Sequence, residues 1–250
     1  MLKTLPTNAA RRARHSGVLL DHLAMLVCIA ALAIWLQRAL PLSALFTWKV
    51  TGLFIAGSSV TVALAIRHLS TNSLGAANRI TLLRGGLVAM LFGFIGEAHV
   101  AWVVVAIAGA ALSLDGVDGW LARRLGTASE FGARFDMETD ALALVALTVL
   151  AWQYGKAGPW IVLAGLMRYG FVAAARVAPR LGRPLPPSWR RKAAFVVQAM
   201  ALIVCLAPIV PSPLSDAIAF AGLVLLSASF AIDIVALAQK GDILATQSRA

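Results

Sequence analysis

Charge is scarce in this sequence. Of 250 residues only 13% are charged, and just 11 are acidic. Soluble globular domains are about one-quarter charged and about half apolar. This chain is instead 60% hydrophobic, with a mean hydropathy of +0.83. That excludes a water-soluble enzyme and a disordered or collagen-like chain. The two cysteines, Cys28 and Cys205, lie within apolar runs, which excludes a disulfide framework and predicts buried thiols. Strict apolar–polar alternation is lacking, which argues against a membrane β-barrel. There is no low-complexity tract, no internal repeat and no stretch that reads as a soluble domain.

What is present is apolar sequence in long runs. Eight of them are legible, at approximately 18–36, 45–66, 80–95, 99–114, 141–154, 160–178, 193–210 and 214–237. Pro41, Gly96, the segment 155–159 and the segment 211–213 separate runs. A membrane-crossing helix needs about 20 apolar residues, and the fifth run reaches that length if its helix begins near Asp136. The expected fold is an all-α integral membrane protein with eight transmembrane helices. Basic residues test the division. With both termini in the cytoplasm, 19 of the 22 Lys and Arg fall on the inner side and three, Arg38, Lys49 and Lys156, on the outer side. That asymmetry obeys the positive-inside rule. The net charge of +11 is therefore read as topology and a taste for anionic lipid or phosphate, not as nucleic-acid binding. The first apolar run is interrupted by Asp21 and His22, read as interfacial residues, and is expected to be an uncleaved span. Glu97 and His99 are expected in a solvated outer turn.

The acids are not scattered. Six of the 11 lie in the 26-residue stretch 115–140, DGVDGWLARRLGTASEFGARFDMETD, which joins the fourth and fifth runs. Asp115 and Asp118 are three apart at the end of one helix; Asp136 and Asp140 are four apart at the start of the next. Each spacing puts its pair on one helix face, and an antiparallel turn can bring the pairs together. Four converging carboxylates repel one another and call for cations. All-carboxylate ligation favours Mg²⁺, Mn²⁺ or Ca²⁺, and four carboxylates suffice for a two-metal site that grips phosphoryl oxygens. Gly119 and Gly132 permit close approach of a ligand or backbone. Arg123, one turn past Gly119, offers a forked donor to phosphate.

The pattern Asp115-x2-Asp118-Gly119-x2-Ala122-Arg123-x8-Gly132-x3-Asp136-x3-Asp140 resembles the signature of the CDP-alcohol phosphotransferases. The resemblance covers roughly residues 75–237. It implies a six-helix membrane enzyme that transfers a phosphoalcohol, usually phosphatidyl from CDP-diacylglycerol, to a hydroxyl acceptor and releases CMP. It further implies that Asp115, Asp118 and Asp136 bind metal, with two divalent cations, Mg²⁺ or Mn²⁺, expected. Asp140 lies at the same metal site and acts as the general base, with Asp136 the second choice. Gly119, Ala122, Arg123 and Gly132 line the CDP pocket. Asn78-x2-Thr81-x2-Arg84 resembles the opening of the family's first core helix and joins the same pocket, although Ala77 stands where proline is usual. Arg168-x3-Val172-x3-Arg176 resembles the fourth core helix of phosphatidylglycerophosphate synthases. Lys192 and Gln198 match their fifth, but Arg191, Ala194 and Phe195 depart from it.

Arg168 and Arg176 are acceptor-binding candidates, since charges within a span are functional by default, and the resemblance adds Lys192. Glycerol 3-phosphate is the leading acceptor; serine, inositol phosphate or another small alcohol is the alternative. Arg180, Arg183, Arg190 and Arg191 are read as topological or lipid-facing. A transporter or lipid flippase is the competing class, and the position of the acids at one membrane edge counts against it. The expected organisation is an N-terminal segment with two extra helices (1–74), a catalytic membrane domain (75–240) and a tail (241–250). The resemblance also implies a homodimer. A bacterial inner membrane, with both termini and the active site cytoplasmic, is the expected location.

Overall fold

A computed structural model of the chain is all-helical among the residues it describes, which are 8–68, 73–127, 129–178 and 188–247. Eight α-helices follow one another: α1 (Asn8–Ala39), α2 (Phe46–His68), α3 (Ala76–Gly93), α4 (Ala101–Arg124), α5 (Glu130–Gln153), α6 (Val162–Val177), α7 (Trp189–Leu206) and α8 (Ser212–Gln247). A single 3₁₀ turn, Pro159–Ile161, precedes α6. The greater part of each apolar run lies in one α-helix. In hydrocarbon a spanning backbone must satisfy its own hydrogen bonds, and a helix does so within one segment.

Five helical stretches are long and apolar enough to cross a membrane, in α1, α2, α4, α6 (with the preceding 3₁₀ turn) and α8. The other three, α3, α5 and α7, carry charge near their starts: Arg79 and Arg84, then Glu130 to Asp140, then Arg190 to Lys192. Two of these three, α3 and α5, build the site described below.

The chain divides into two compact units, 1–143 and 144–250. In the first, α1 and α2 form a hairpin that packs on α3, and α3 packs on α4. Gly86 and Gly93, two turns apart on α3, receive side chains of the hairpin. A Cβ built on Gly86 would lie 2.6 Å from Ile29 Cγ1; on Gly93 it would lie 2.5 Å from Val50 Cγ2 and 3.1 Å from Phe46 Cε2. Such small residues let membrane helices approach closely. Within this unit, Gly126 closes α4. At φ +62° it takes the left-handed conformation, its N–H reaches Arg123 O (3.4 Å), and Thr127 N–H reaches Ala122 O (3.1 Å). This Schellman turn reverses the chain into α5. At the end of α5, Gly155 (φ +64°) makes the same turn within the second unit, with Lys156 N–H on Ala151 O at 2.9 Å.

Three expectations change here. Glu97 is not solvated but buried: it accepts from the Ser43 N–H (2.9 Å) and hydroxyl (2.5 Å), with Lys49 Nζ at 3.6 Å. The reason is that the α1–α2 connection folds over it. His22 is likewise buried between α1 and α2, its ring nitrogens 2.8 Å from Val18 O and 3.0 Å from Thr61 Oγ1. Cys28 is exposed while Cys205 is buried, because Cys28 lies on the face of α1 turned away from α2 and α3; both are free thiols.

In the second unit α7 packs along α8. Arg190 donates to Ser229 O (2.5 Å), to Ser229 Oγ (2.6 Å) and to Asp233, and Arg191 Nη1 lies 3.4 Å from Asp233. Near the other end of α7, Lys156 donates to the carbonyls of Ala207 (3.1 Å) and Val210 (2.6 Å). Gln198 is fully buried against Gly222.

Candidate active site

Asn78, Thr81 and Arg84 recur every three residues on α3, which aligns them along one face. The last turns of α4 present Asp115 and Asp118 to that face, and the first turns of α5 present Asp136 and Asp140. Arg84 is the centre. Its Nε donates to Ala111 O (3.2 Å), its Nη1 to Asp118 (2.8 Å) and to Asp136, and its Nη2 to Asp140, while Asp115 forms an ion pair with Nη2 at 3.1 Å. Four of the five N–H donors of the guanidinium are thereby engaged in hydrogen bonds. Thr81 adds a hydroxyl 3.0 Å from Asp118 Oδ2. The cluster grades from closed to open: the side chains of Arg84 and Asp118 are 4% exposed, Asp115 10%, Asp140 21% and Asp136 37%. Access is from the Asp136 side.

The balance of charge is uneven. Four carboxylates meet one guanidinium, which leaves three formal negative charges in a largely buried place. Like charges this close demand further cations. One oxygen each from Asp115, Asp118 and Asp136 lie within 4.8 Å of one another. A donor set of carboxylate oxygens alone suits a hard divalent cation, so the residues fit such an ion.

The turn between α4 and α5 shapes the rest of the site. Ser129 caps α5, its Oγ accepting the Gly132 N–H at 3.0 Å. A Cβ on Gly132 would stand 2.7 Å from Asn78 Oδ1 and 3.1 Å from Ser129 Oγ, so glycine is what lets α3 and α5 meet here. Asn78 also donates to Leu74 O at 2.7 Å. A Cβ on Gly119 would lie 3.4 Å from Arg123 Nη1, and the Arg123 side chain is exposed. Ala122 contributes its carbonyl to the Schellman turn. Asn78, Thr81, Arg84, Gly132 and the four aspartates thus come together. Gly119, Ala122 and Arg123 follow on α4.

The acceptor candidates belong to the second unit. Arg168 is half-buried on α6, Arg176 is exposed in the last turn of α6, and Lys192 is exposed in the first turn of α7. Arg180 and Arg183 lie outside the described residues. Sequence reasoning missed Ser129 and Gly126, whose signals are a serine just before a helical run and a glycine just after one. It also missed that Arg84 holds all four aspartates.

Beside the cluster is an apolar cavity of about 710 Å³ between α2, α3 and α5. Leu64, Val88, Phe92, Phe135 and Leu142 line it, and Glu130 and Arg134, an ion pair at 2.6 Å, border it. Nothing stands within 4 Å of the position a Cβ would take on Gly85, which also lines it.

Residues 74–234 match the family model for CDP-alcohol phosphatidyltransferase. Two curated relatives, each named "Probable phosphatidylglycerophosphate synthase", come from Mycobacterium tuberculosis strains CDC 1551 / Oshkosh and ATCC 25618 / H37Rv. Each is 33% identical over 173 residues, covering 64% of this chain and 79% of the relative. No solved structure gives a significant match.

Proposed function

Since this chain belongs to the CDP-alcohol phosphatidyltransferase family, we propose that it moves the phosphatidyl group of CDP-diacylglycerol onto glycerol 3-phosphate and releases CMP. Phosphatidyl transfer in phospholipid synthesis follows from the family; the acceptor, the metal and the residue roles are the proposal. The observation that carries it is the convergence of four aspartates on Arg84.

The acceptor hydroxyl attacks the phosphorus that bears the diacylglycerol. A new P–O bond forms to the acceptor, the P–O bond to CMP breaks, and CMP departs with that electron pair. The hydroxyl proton passes to a carboxylate, Asp140 first and Asp136 second. Both are more open than Asp118, and a general base must be reachable by the group it deprotonates; the order between them follows the family resemblance. Asp115, Asp118, Asp136 and Asp140 would hold two divalent cations, which when bound supply positive charge to the pyrophosphate oxygens. Arg84 and Thr81 fix the carboxylates. Asn78, Gly119, Ala122, Arg123 and Gly132 form the cytidine diphosphate pocket by family resemblance. The apolar cavity beside the cluster supports a lipid donor, since a chain of methylenes fits no water-filled site.

Arg168, Arg176 and Lys192 support a phosphorylated acceptor, as does the name of the relatives. With eight spans and both termini inside, lysine and arginine would fall 19 against three between the two sides of the membrane, an asymmetry that supports a cytoplasmic site and cytoplasmic termini, in a bacterial inner membrane. The homodimer rests on family resemblance.

The test is CMP release. The full chain is reconstituted with CDP-diacylglycerol and Mg²⁺ or Mn²⁺, and glycerol 3-phosphate, serine, inositol phosphate and inositol are supplied separately. Mass spectrometry identifies the lipid product. Turnover should require the metal and be greatest with glycerol 3-phosphate. Asp140→Asn should lower kcat by about 10²–10⁴-fold. Best turnover with another alcohol would replace the acceptor. Lipid movement across the bilayer without CMP release would favour the transporter class.

A further inference from the structure

The family match begins at residue 74, so the α1–α2 hairpin lies outside it, yet the hairpin reaches the start of α3. Asp21 of α1 uses both carboxylate oxygens there. Oδ2 accepts the Leu74 N–H at 3.2 Å, and Oδ1 takes the Arg79 guanidinium at 2.8 Å. Leu74 and Arg79 flank the first turn of α3. That turn starts at Gly75, with φ +79° and no side-chain cap of its own. A helix start exposes N–H groups and the positive end of the dipole, and an acid stabilises it. Asp21 supplies that acid from a neighbouring helix.

The contact continues inward. Leu74, held through its N–H by Asp21, accepts through its carbonyl from Asn78 Nδ2 at 2.7 Å. Asn78 Oδ1 in turn occupies the space left by the missing side chain of Gly132 on α5. Asp21, Leu74, Asn78 and Gly132 form an unbroken chain of contacts from the hairpin to the two helices of the nucleotide pocket. The Asp21 side chain is 13% exposed and Arg79 54%. The exposed ion pair alone would count for little; the sheltered backbone hydrogen bond gives the contact its direction.

We propose that Asp21 is a positioning residue: it holds Leu74, and through it Asn78, in the arrangement that receives the cytidine diphosphate of the lipid donor. This rests on the functional reading above. Glu97 provides an internal comparison. It fastens the same hairpin near the opposite end of α3, through Ser43 and Lys49.

The experiment measures kcat and KM for CDP-diacylglycerol in the reconstituted full chain, together with CMP binding by calorimetry and the unfolding temperature. Asp21→Ala should raise KM and the Kd for CMP about tenfold, the scale of a lost charge-assisted hydrogen bond, with kcat within about twofold. Asp21→Glu should recover part of the loss. Glu97→Gln should lower the unfolding temperature and leave KM and the Kd unchanged. Unchanged KM and Kd in folded Asp21→Ala would overturn the inference, as would equal rises in Asp21→Ala and Glu97→Gln. If Asp21→Ala does not fold, Asp21→Asn and Arg79→Gln carry the same test, with a smaller rise expected and no rise overturning it. A wild-type protein that neither binds CMP nor releases it would defeat the functional reading itself, and the inference with it.

Discussion

Arg84 and Asp233 sit at the centres of two ion clusters with opposite proportions. In the first unit one guanidinium faces four carboxylates. In the second, one carboxylate faces two guanidiniums, and one of these also spends hydrogen bonds on Ser229. The Arg190–Asp233 contact is close to balanced, and its arginines are about one-third exposed, so water completes it. It staples α7 to α8. The Arg84 cluster is closed to water on its arginine side and is three negative charges in excess. A staple needs no surplus. A surplus of one sign, held in place by an expensive buried arginine, is the mark of a site prepared for something of the opposite sign.

Removing the central group should separate the two. Arg84→Gln strips the one cation paired with the four acids among the described residues. It should cost about 3–5 kcal/mol of stability, the penalty for uncompensated buried charge, and abolish CMP release. Mg²⁺ should raise the unfolding temperature more in this variant than in the wild type. Absence of that extra protection would make Arg84 a staple like Asp233. Asp233→Asn should cost about 1 kcal/mol, because its partners can turn to water, and should leave kcat and both KM values as they were. A large fall in turnover would move Asp233 into the functional class.

Glu97 is the intermediate case, one acid with one lysine, and carries the smallest effect. Burial opposes its ionisation, but the Ser43 hydroxyl and N–H and the Lys49 ammonium outweigh burial and hold its carboxyl below the usual value. The native chain therefore keeps this charge at lower pH than the unfolded chain does. The stability it adds is complete above the ordinary glutamate pKa of about 4.3 and is lost as pH falls through the lowered value. Unfolding temperatures from pH 7 to pH 3 should fall less steeply in Glu97→Gln than in the wild type. Parallel curves would show that Glu97 contributes no linked proton.

The helices were legible because long apolar runs leave the backbone one choice. The aspartates were legible because spacings of three and four fix a helix face whatever the surroundings. The partners were not. Arg84 meets acids 34, 52 and 56 residues away; the pattern of Asn78, Thr81 and Arg84 points this face of α3 at the site, but it does not encode that Arg84 will hold the acids. Glu97 reads as a turn residue until the α1–α2 connection is seen to cover it. Asp21 reads as an interfacial acid for the same reason: its partners, Leu74 and Arg79, lie more than 50 positions on. Long-range pairing depends on which helices become neighbours, and a hydrophobic membrane sequence says little about that.

The glycine notches of α3 bear on how the chain is assembled. Translation delivers α1 and α2 first, and both are apolar enough to enter a membrane unaided. The third helix follows with Arg84 already in it. Its compensating acids, Asp118 and Asp140, are synthesised 34 and 56 residues later. In that interval the hairpin is a protein surface already made. Ile29 and Val50 are there to enter the notches at Gly86 and Gly93, and Asp21 waits for Arg79. The N-terminal hairpin is a berth that α3 can occupy before α4 and α5 are made.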